Sequence, residues 1–177
     1  MRSRTAALSF SALFLIIAPG TVAGYLPWLI SRWQVAGEFG ASPLVPLAGL
    51  PLLLLGGGAL LECFARFAWV GRGTPAPVAP TRRLVVSGLY RHVRNPMYVA
   101  VVALILGQGL LFGRFALLLY AAAVWLAFHL FVLVYEEPTL RRQFPADYEA
   151  FARAVPRWLP RLRPWPGPNG IRPDQAP

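Results

Sequence analysis

The chain has 177 residues, 56% of them hydrophobic and only 14% charged, with a formal net charge of +10. A soluble domain carries about 25% charged residues, so this deficit excludes an ordinary water-soluble globule and points to the bilayer. The one cysteine, Cys63, excludes an intrachain disulfide, and two histidines, His92 and His129, with no cysteine–histidine cluster leave no structural zinc site and no metal.

In chain order, four apolar segments approach the roughly 20 residues needed to cross lipid. The first runs over about 6–30, with a break expected at Pro19-Gly20. Arg2, Arg4 and Thr21-Val22-Ala23 also read as the parts of a signal peptide, but the apolar stretch continues to Ile30, so the segment is read as an uncleaved span. The second covers about 44–70 and contains Gly56-Gly57-Gly58, read as a site of close helix packing. A Pro/Ala-rich linker follows at 74–80. The third covers about 98–112, short unless it starts before Tyr98, and the fourth about 115–135; Gly113-Arg114 between them makes a helical hairpin. Beyond it, Leu140, Phe144, Tyr148, Phe151 and Val155 recur at helical spacing. Pro145 divides this amphipathic stretch into two short helices. The prolines at 156, 160, 164, 166 and 168 forbid further helix, Trp158 and Trp165 are placed at the headgroup level, and 166–177 is read as disordered. The fold class expected is all-α: about four membrane helices and a cytoplasmic helical tail, with 1–165 forming a single domain.

All 17 basic residues are arginine, and their placement sets orientation. Arg2 and Arg4, the loop with Arg72, Arg82, Arg83, Arg91 and Arg94, and the tail from Arg141 onward fall on one side of a four-span chain; Arg32 and Arg114 fall on the other. The positive-inside rule makes the first side cytoplasmic. Such a basic chain suits nucleic acid or anionic lipid, and the long apolar runs favour the lipid bilayer over nucleic acid. Arginine without lysine fits a high-GC bacterial genome, hence an inner membrane with cytoplasmic termini.

The hairpin brings two polar clusters to one membrane face: 82–98, and Tyr135-Glu136-Glu137. The string from Ser87 to Tyr98 (SGLYRHVRNPMY) and Glu136-Glu137-Pro138-Thr139-Leu140 with Phe144, Tyr148, Phe151 and Val155-Pro156-Arg157 together resemble the signature of the isoprenylcysteine carboxyl methyltransferase and phospholipid methyltransferase superfamily. The resemblance covers about 81–160. It implies a membrane-embedded enzyme that uses S-adenosylmethionine to methylate a lipid or lipophilic substrate. It further implies cofactor contacts from Arg82, Arg83, Leu84, Val85, Tyr90, Asn95, Pro96, Met97 and Tyr98, with Glu136 holding the amino-acid end. Asn95 stands where the family often has His, and Val132 where the prenylcysteine enzymes carry Arg. No catalytic residue is implied. The other readings kept open are a membrane reductase with a nicotinamide cofactor and a non-enzymatic membrane subunit.

Further polar residues are placed from spacing. Glu62 and Arg66, one helical turn apart, are expected to pair. Glu137 is expected to pair with Arg141. Gln108 reads as glue between helices, and His129, about two turns before Glu136, as a helix-contact or path-lining residue.

Overall fold

The computed structural model describes residues 17–40, 44–69, 84 and 86–167. Arg82, Arg83, Val85, the 74–80 linker, the first part of the first apolar segment and the tail from Pro168 lie outside the described residues. Among the described residues every regular element is helical. A π-helical turn at Thr21–Tyr25 leads into α1 (Leu26–Ser31), followed by α2 (Leu44–Trp69) and a 3₁₀ turn at Gly88–Arg91. Then come α3 (Pro96–Phe112), α4 (Phe115–Phe131), a second π turn (Val132–Glu136), α5 (Glu137–Gln143) and α6 (Pro145–Ala154). Two stretches are long and apolar enough to cross a bilayer, Leu44–Arg66 and Phe115–Gln143. The apolar α3 has 17 residues, about 25 Å of helix.

The chain divides into two compact units. One comprises Phe14–Leu60 with Met97–Leu130. Here α2 and α3 approach closely through glycine: a side-chain carbon on Gly107 would lie 2.9 Å from the Gly49 carbonyl, and one on Gly56 would lie 3.1 Å from the Ala100 carbonyl. Of the three consecutive glycines, only Gly56 meets a neighbour; Gly57 and Gly58 face open space, and Gly49, two turns earlier, supplies the second contact. The α3–α4 turn is the tight one expected, with Gly113 at φ +61°. Glu38 secures it: its amide donates to the Gly113 carbonyl at 3.0 Å, and its carboxylate accepts from the Phe115 amide at 2.7 Å.

The break expected at Pro19-Gly20 is not there. Residues 17–20 are helical, and the irregularity is the π turn just after them. Its cause is Pro27 downstream. A proline ring crowds the carbonyl four residues back and offers it no N–H, and widening the preceding turn by one residue relieves the clash. The Leu26 amide bonds to Thr21 O, which strands the Val22 carbonyl; Pro27 strands Ala23. Tyr120 donates its hydroxyl to Val22 O at 2.9 Å and Gln108 donates to Ala23 O at 2.7 Å. Gln108 also accepts from the Trp33 indole at 3.3 Å, so it is the interhelical glue its position announced.

The second unit comprises Leu61–Pro96 and the chain from Phe131. The same device recurs: the Glu137 amide bonds to Val132 O across the second π turn, and Pro138 follows. Phe144, at φ −135° and ψ 64°, separates α5 from α6, and Pro145 opens α6 where its missing N–H costs nothing. Tyr148, Phe151, Val155 and Trp165 form a buried core, with Leu84, Val86, Leu140 and Phe144 packed against it. Trp165 is therefore not a headgroup anchor: its ring lies 5.6 Å from that of Phe151 and is 8% exposed. The proline-rich tail folds back and buries it, which is worth more than an interfacial position because a full aromatic side chain leaves water.

Candidate functional site

In the second unit a loop and the tail are tied together by hydrogen bonds. The Trp165 amide donates to Arg91 O, the Arg161 amide to His92 O and the Arg94 amide to Pro156 O, each at 2.9 Å. Side chains close the same seam. Arg91 Nε donates to Trp165 O at 2.6 Å and Asn95 Nδ2 to Arg157 O at 3.1 Å. His92 Nδ1 lies 2.8 Å from Arg161 O, and because a carbonyl only accepts, the proton sits on Nδ1. These bonds are the reason a glycine- and proline-rich stretch without helix or sheet keeps a defined path.

Glu137 is the hub. It is 4% exposed, accepts from Arg157 Nε at 2.6 Å and Nη2 at 3.1 Å, and from Arg94 Nη1 at 3.1 Å. Arg94 Nη1 also reaches the Tyr148 hydroxyl at 3.4 Å. Loop, helix end and tail therefore meet on one carboxylate, and α6 joins them through Tyr148 on Arg94. Donating to Glu137 holds Arg157 protonated above the ordinary arginine range. Burial, and then the Glu137 charge, push the Tyr148 phenol up and keep it neutral. The expected Glu137–Arg141 pair does not form; Arg141 instead bridges to Glu149 at 2.9 Å. The two arginines that hold Glu137 lie 43 and 20 positions away along the chain, beyond the reach of a helical-spacing rule.

Glu136, the residue expected to hold the cofactor, is the half-buried neighbour of this hub. The π turn matters for which glutamate points where. One extra residue in the turn shifts the helix register, so Glu137 occupies the face that Glu136 would take in an uninterrupted α-helix. The readable signal was Pro138 directly after the glutamate pair, which repeats the arrangement of Pro27 after its own π turn.

The other expected contacts fall as follows. Leu84 packs on the Tyr148 core. Tyr90 is buried and shares a hydrogen bond with the Cys63 thiol. Asn95 is buried and tied to the tail, and Pro96 is buried at the start of α3. Met97 and Tyr98 belong to the other unit, where the Tyr98 ring stacks on Phe128 at 4.5 Å. His129 stacks on Trp125 at 5.2 Å in the same unit. Glu62 and Arg66 pair as expected, at 2.6 Å. Gly88, at φ +56°, presses on that pair so closely that any side-chain carbon would collide with the Glu62 carboxylate. Ser87, Arg94 and Arg157 stand in the blocks that carry the resemblance, but sequence reasoning gave them no site role. Arg94 Nε and Ser87 Oγ are both buried without a protein partner.

Membrane-length helices and, within the second unit, a buried arginine–carboxylate cluster define a helical membrane protein with a candidate ligand site. A family model described as phospholipid methyltransferase matches residues 45–147, more than half of the chain. The chain belongs to this family of membrane methyltransferases. It is also similar to the protein-S-isoprenylcysteine O-methyltransferase of Schizosaccharomyces pombe, 35% identical over 80 residues. That match covers 45% of this chain and 34% of the yeast protein, so the chain spans about a third of that relative.

Proposed function

We propose that the protein transfers a methyl group from S-adenosylmethionine to a lipophilic acceptor at the cytoplasmic face of the membrane. The observation that carries this reading is the Arg94–Glu137–Arg157 brace. It unites the two sequence blocks, 87–98 and 136–157, that resemble the superfamily signature. The residues present fit such a cofactor. Glu136 supplies a carboxylate for an ammonium group, and Arg94 Nε is a buried guanidinium donor that a carboxylate would complete. When bound, the cofactor supplies an electrophilic methyl on a positively charged sulfur. The chain's own task is to align donor and acceptor and to keep water out. The loop–tail seam does the first by fixing the 87–95 backbone. The Tyr148–Trp165 core supports the same loop, because Leu84 and Val86 pack against it. Arginine placement supports a four-span topology with both termini cytoplasmic.

The test is calorimetric titration of S-adenosylmethionine into the detergent-solubilised protein and Glu136→Gln. Losing one charge-assisted hydrogen bond is expected to weaken binding about 10- to 150-fold, or about 1.5–3 kcal/mol. Unchanged affinity in the variant removes Glu136 from the site. A wild-type protein that binds a reduced nicotinamide cofactor and not the methyl donor overturns the reading.

A further inference from the structure

Between Pro156 and Trp165 the tail has neither helix nor sheet, yet its backbone is pinned at intervals. The Pro156 and Arg157 carbonyls accept from Arg94 and Asn95, the Arg161 amide and carbonyl are both held by His92, and the Trp165 amide donates to Arg91 O. Prolines at 156, 160 and 164 stiffen the stretches between those points. What projects from this frame is apolar: Leu159 is 79% exposed and Leu162 is 98% exposed. A single exposed leucine is ordinary on a protein surface. These two lie three positions apart on a pinned backbone, and the core that takes in Trp165 leaves both of them out.

The charge around them has one sign. Between Glu149 and Asp174 the sequence carries five arginines and no acidic residue. Arg157 is engaged by Glu137, and Arg161 donates its side chain to Ala154 O. Arg163, next to Leu162, is exposed. Apolar side chains beside an outward cation suit a bilayer with anionic headgroups. The leucines enter the boundary between headgroups and acyl chains, and the guanidinium donates to lipid phosphate. Nucleic acid or an acidic peptide would use the arginine and leave the leucines in water. A second copy of the chain would cover the leucines but set arginine against arginine. Lipid is also at hand: the apolar helix Phe115–Gln143 has 29 residues, and its end lies in the same compact unit as the tail. We propose that residues 158–163 form a docking tip that holds the tail on an anionic membrane leaflet, with Leu159 and Leu162 inserted and Arg163 on the phosphates. The tip gives the tail that carries Arg157 a requirement for lipid composition, whatever reaction the site performs.

The test reconstitutes the full chain, one copy per nanodisc, in phosphatidylcholine alone or with about 30% phosphatidylglycerol to supply the negative surface. Cys63→Ala removes the one native thiol, and Leu162→Cys carries a bimane label, itself apolar, with nitroxide-bearing lipid as quencher. Quenching at least about twofold stronger in the anionic discs is expected. In the labelled protein Arg163→Gln is expected to lower the ratio of docked to undocked tip about fivefold, and Leu159→Ser about tenfold, with the melting temperature unchanged because both side chains are exposed. Equal quenching with and without phosphatidylglycerol, or quenching that neither substitution changes, overturns the proposal. A label shielded only in discs that hold two copies assigns the tip to self-association and overturns it as well. Should Cys63→Ala not fold, tryptic cleavage between Arg161 and Leu162 in the unlabelled native chain is the second readout. Anionic discs are expected to slow that cleavage at least about fivefold, and equal rates in the two kinds of disc overturn the proposal.

Discussion

Glu62 and Glu137 are both carboxylates at the ends of long apolar helices, and both are held by arginine, yet their surroundings differ. Glu137 is almost wholly buried, and two arginines from separate segments use both of its oxygens. Glu62 has one arginine from its own helix, a side chain 31% exposed, and one oxygen unused. The difference teaches how to read a buried charge. A carboxylate whose lone pairs are satisfied by distant segments organises the fold, because removing it strands cations in a place they cannot leave. A carboxylate paired only with a neighbour on its own helix ties no separate segments together and organises less of the fold.

This contrast is broken or sharpened by substitution. The largest effect is expected for Glu137→Ala, which leaves Arg94 and Arg157 uncompensated and should cost about 3–5 kcal/mol of stability. Thermal denaturation in detergent measures it, and a loss no larger than that of Glu62→Ala would erase the distinction. Trp165→Ala comes next. It opens a cavity beneath the tail that carries Arg157, and about 3 kcal/mol is expected, with faster proteolysis of the tail as a second readout. The smallest effect belongs to Arg141→Ala, because the Arg141–Glu149 pair is about half exposed on both sides. Less than about 1 kcal/mol is expected there, and a larger loss would mean that ion pairing on this cap is stronger than exposure allows.

Much of this was legible in the sequence. The long apolar runs, the tight turn at Gly113-Arg114, the split of the tail helices at Pro145 and the Glu62–Arg66 pair all follow from local spacing, and local spacing is what a sequence displays. Glu137 was misjudged for the complementary reason. Its neighbour Arg141 satisfied the spacing rule, but Arg94 and Arg157 offered three hydrogen bonds in a dry setting, and Glu149 was left to take Arg141. The π turns were hidden because they are set by a proline that follows the irregular turn, not by one inside it. Trp165 was placed at the lipid surface because aromatic residues near spans prefer it. Only the folded-back tail shows a protein core for that ring. The contacts expected from Arg82, Arg83 and Val85 lie on undescribed residues.

The loop–tail seam has a consequence for the order in which the chain is made. Each bond in it joins residues that leave the ribosome far apart: 74 positions for Arg91 and Trp165, 69 for His92 and Arg161, 62 for Asn95 and Arg157. Between them the hairpin of α3 and α4 must be synthesised and delivered to lipid. The loop therefore waits through that delivery with the Arg91 and His92 carbonyls and the Arg94 amide on water, and closure of the seam reports that synthesis has passed Trp165. Long-range pairing of this kind is slow to form. In a membrane protein it also acts as a checkpoint, because order in the loop arrives only after α3 and α4 have been made.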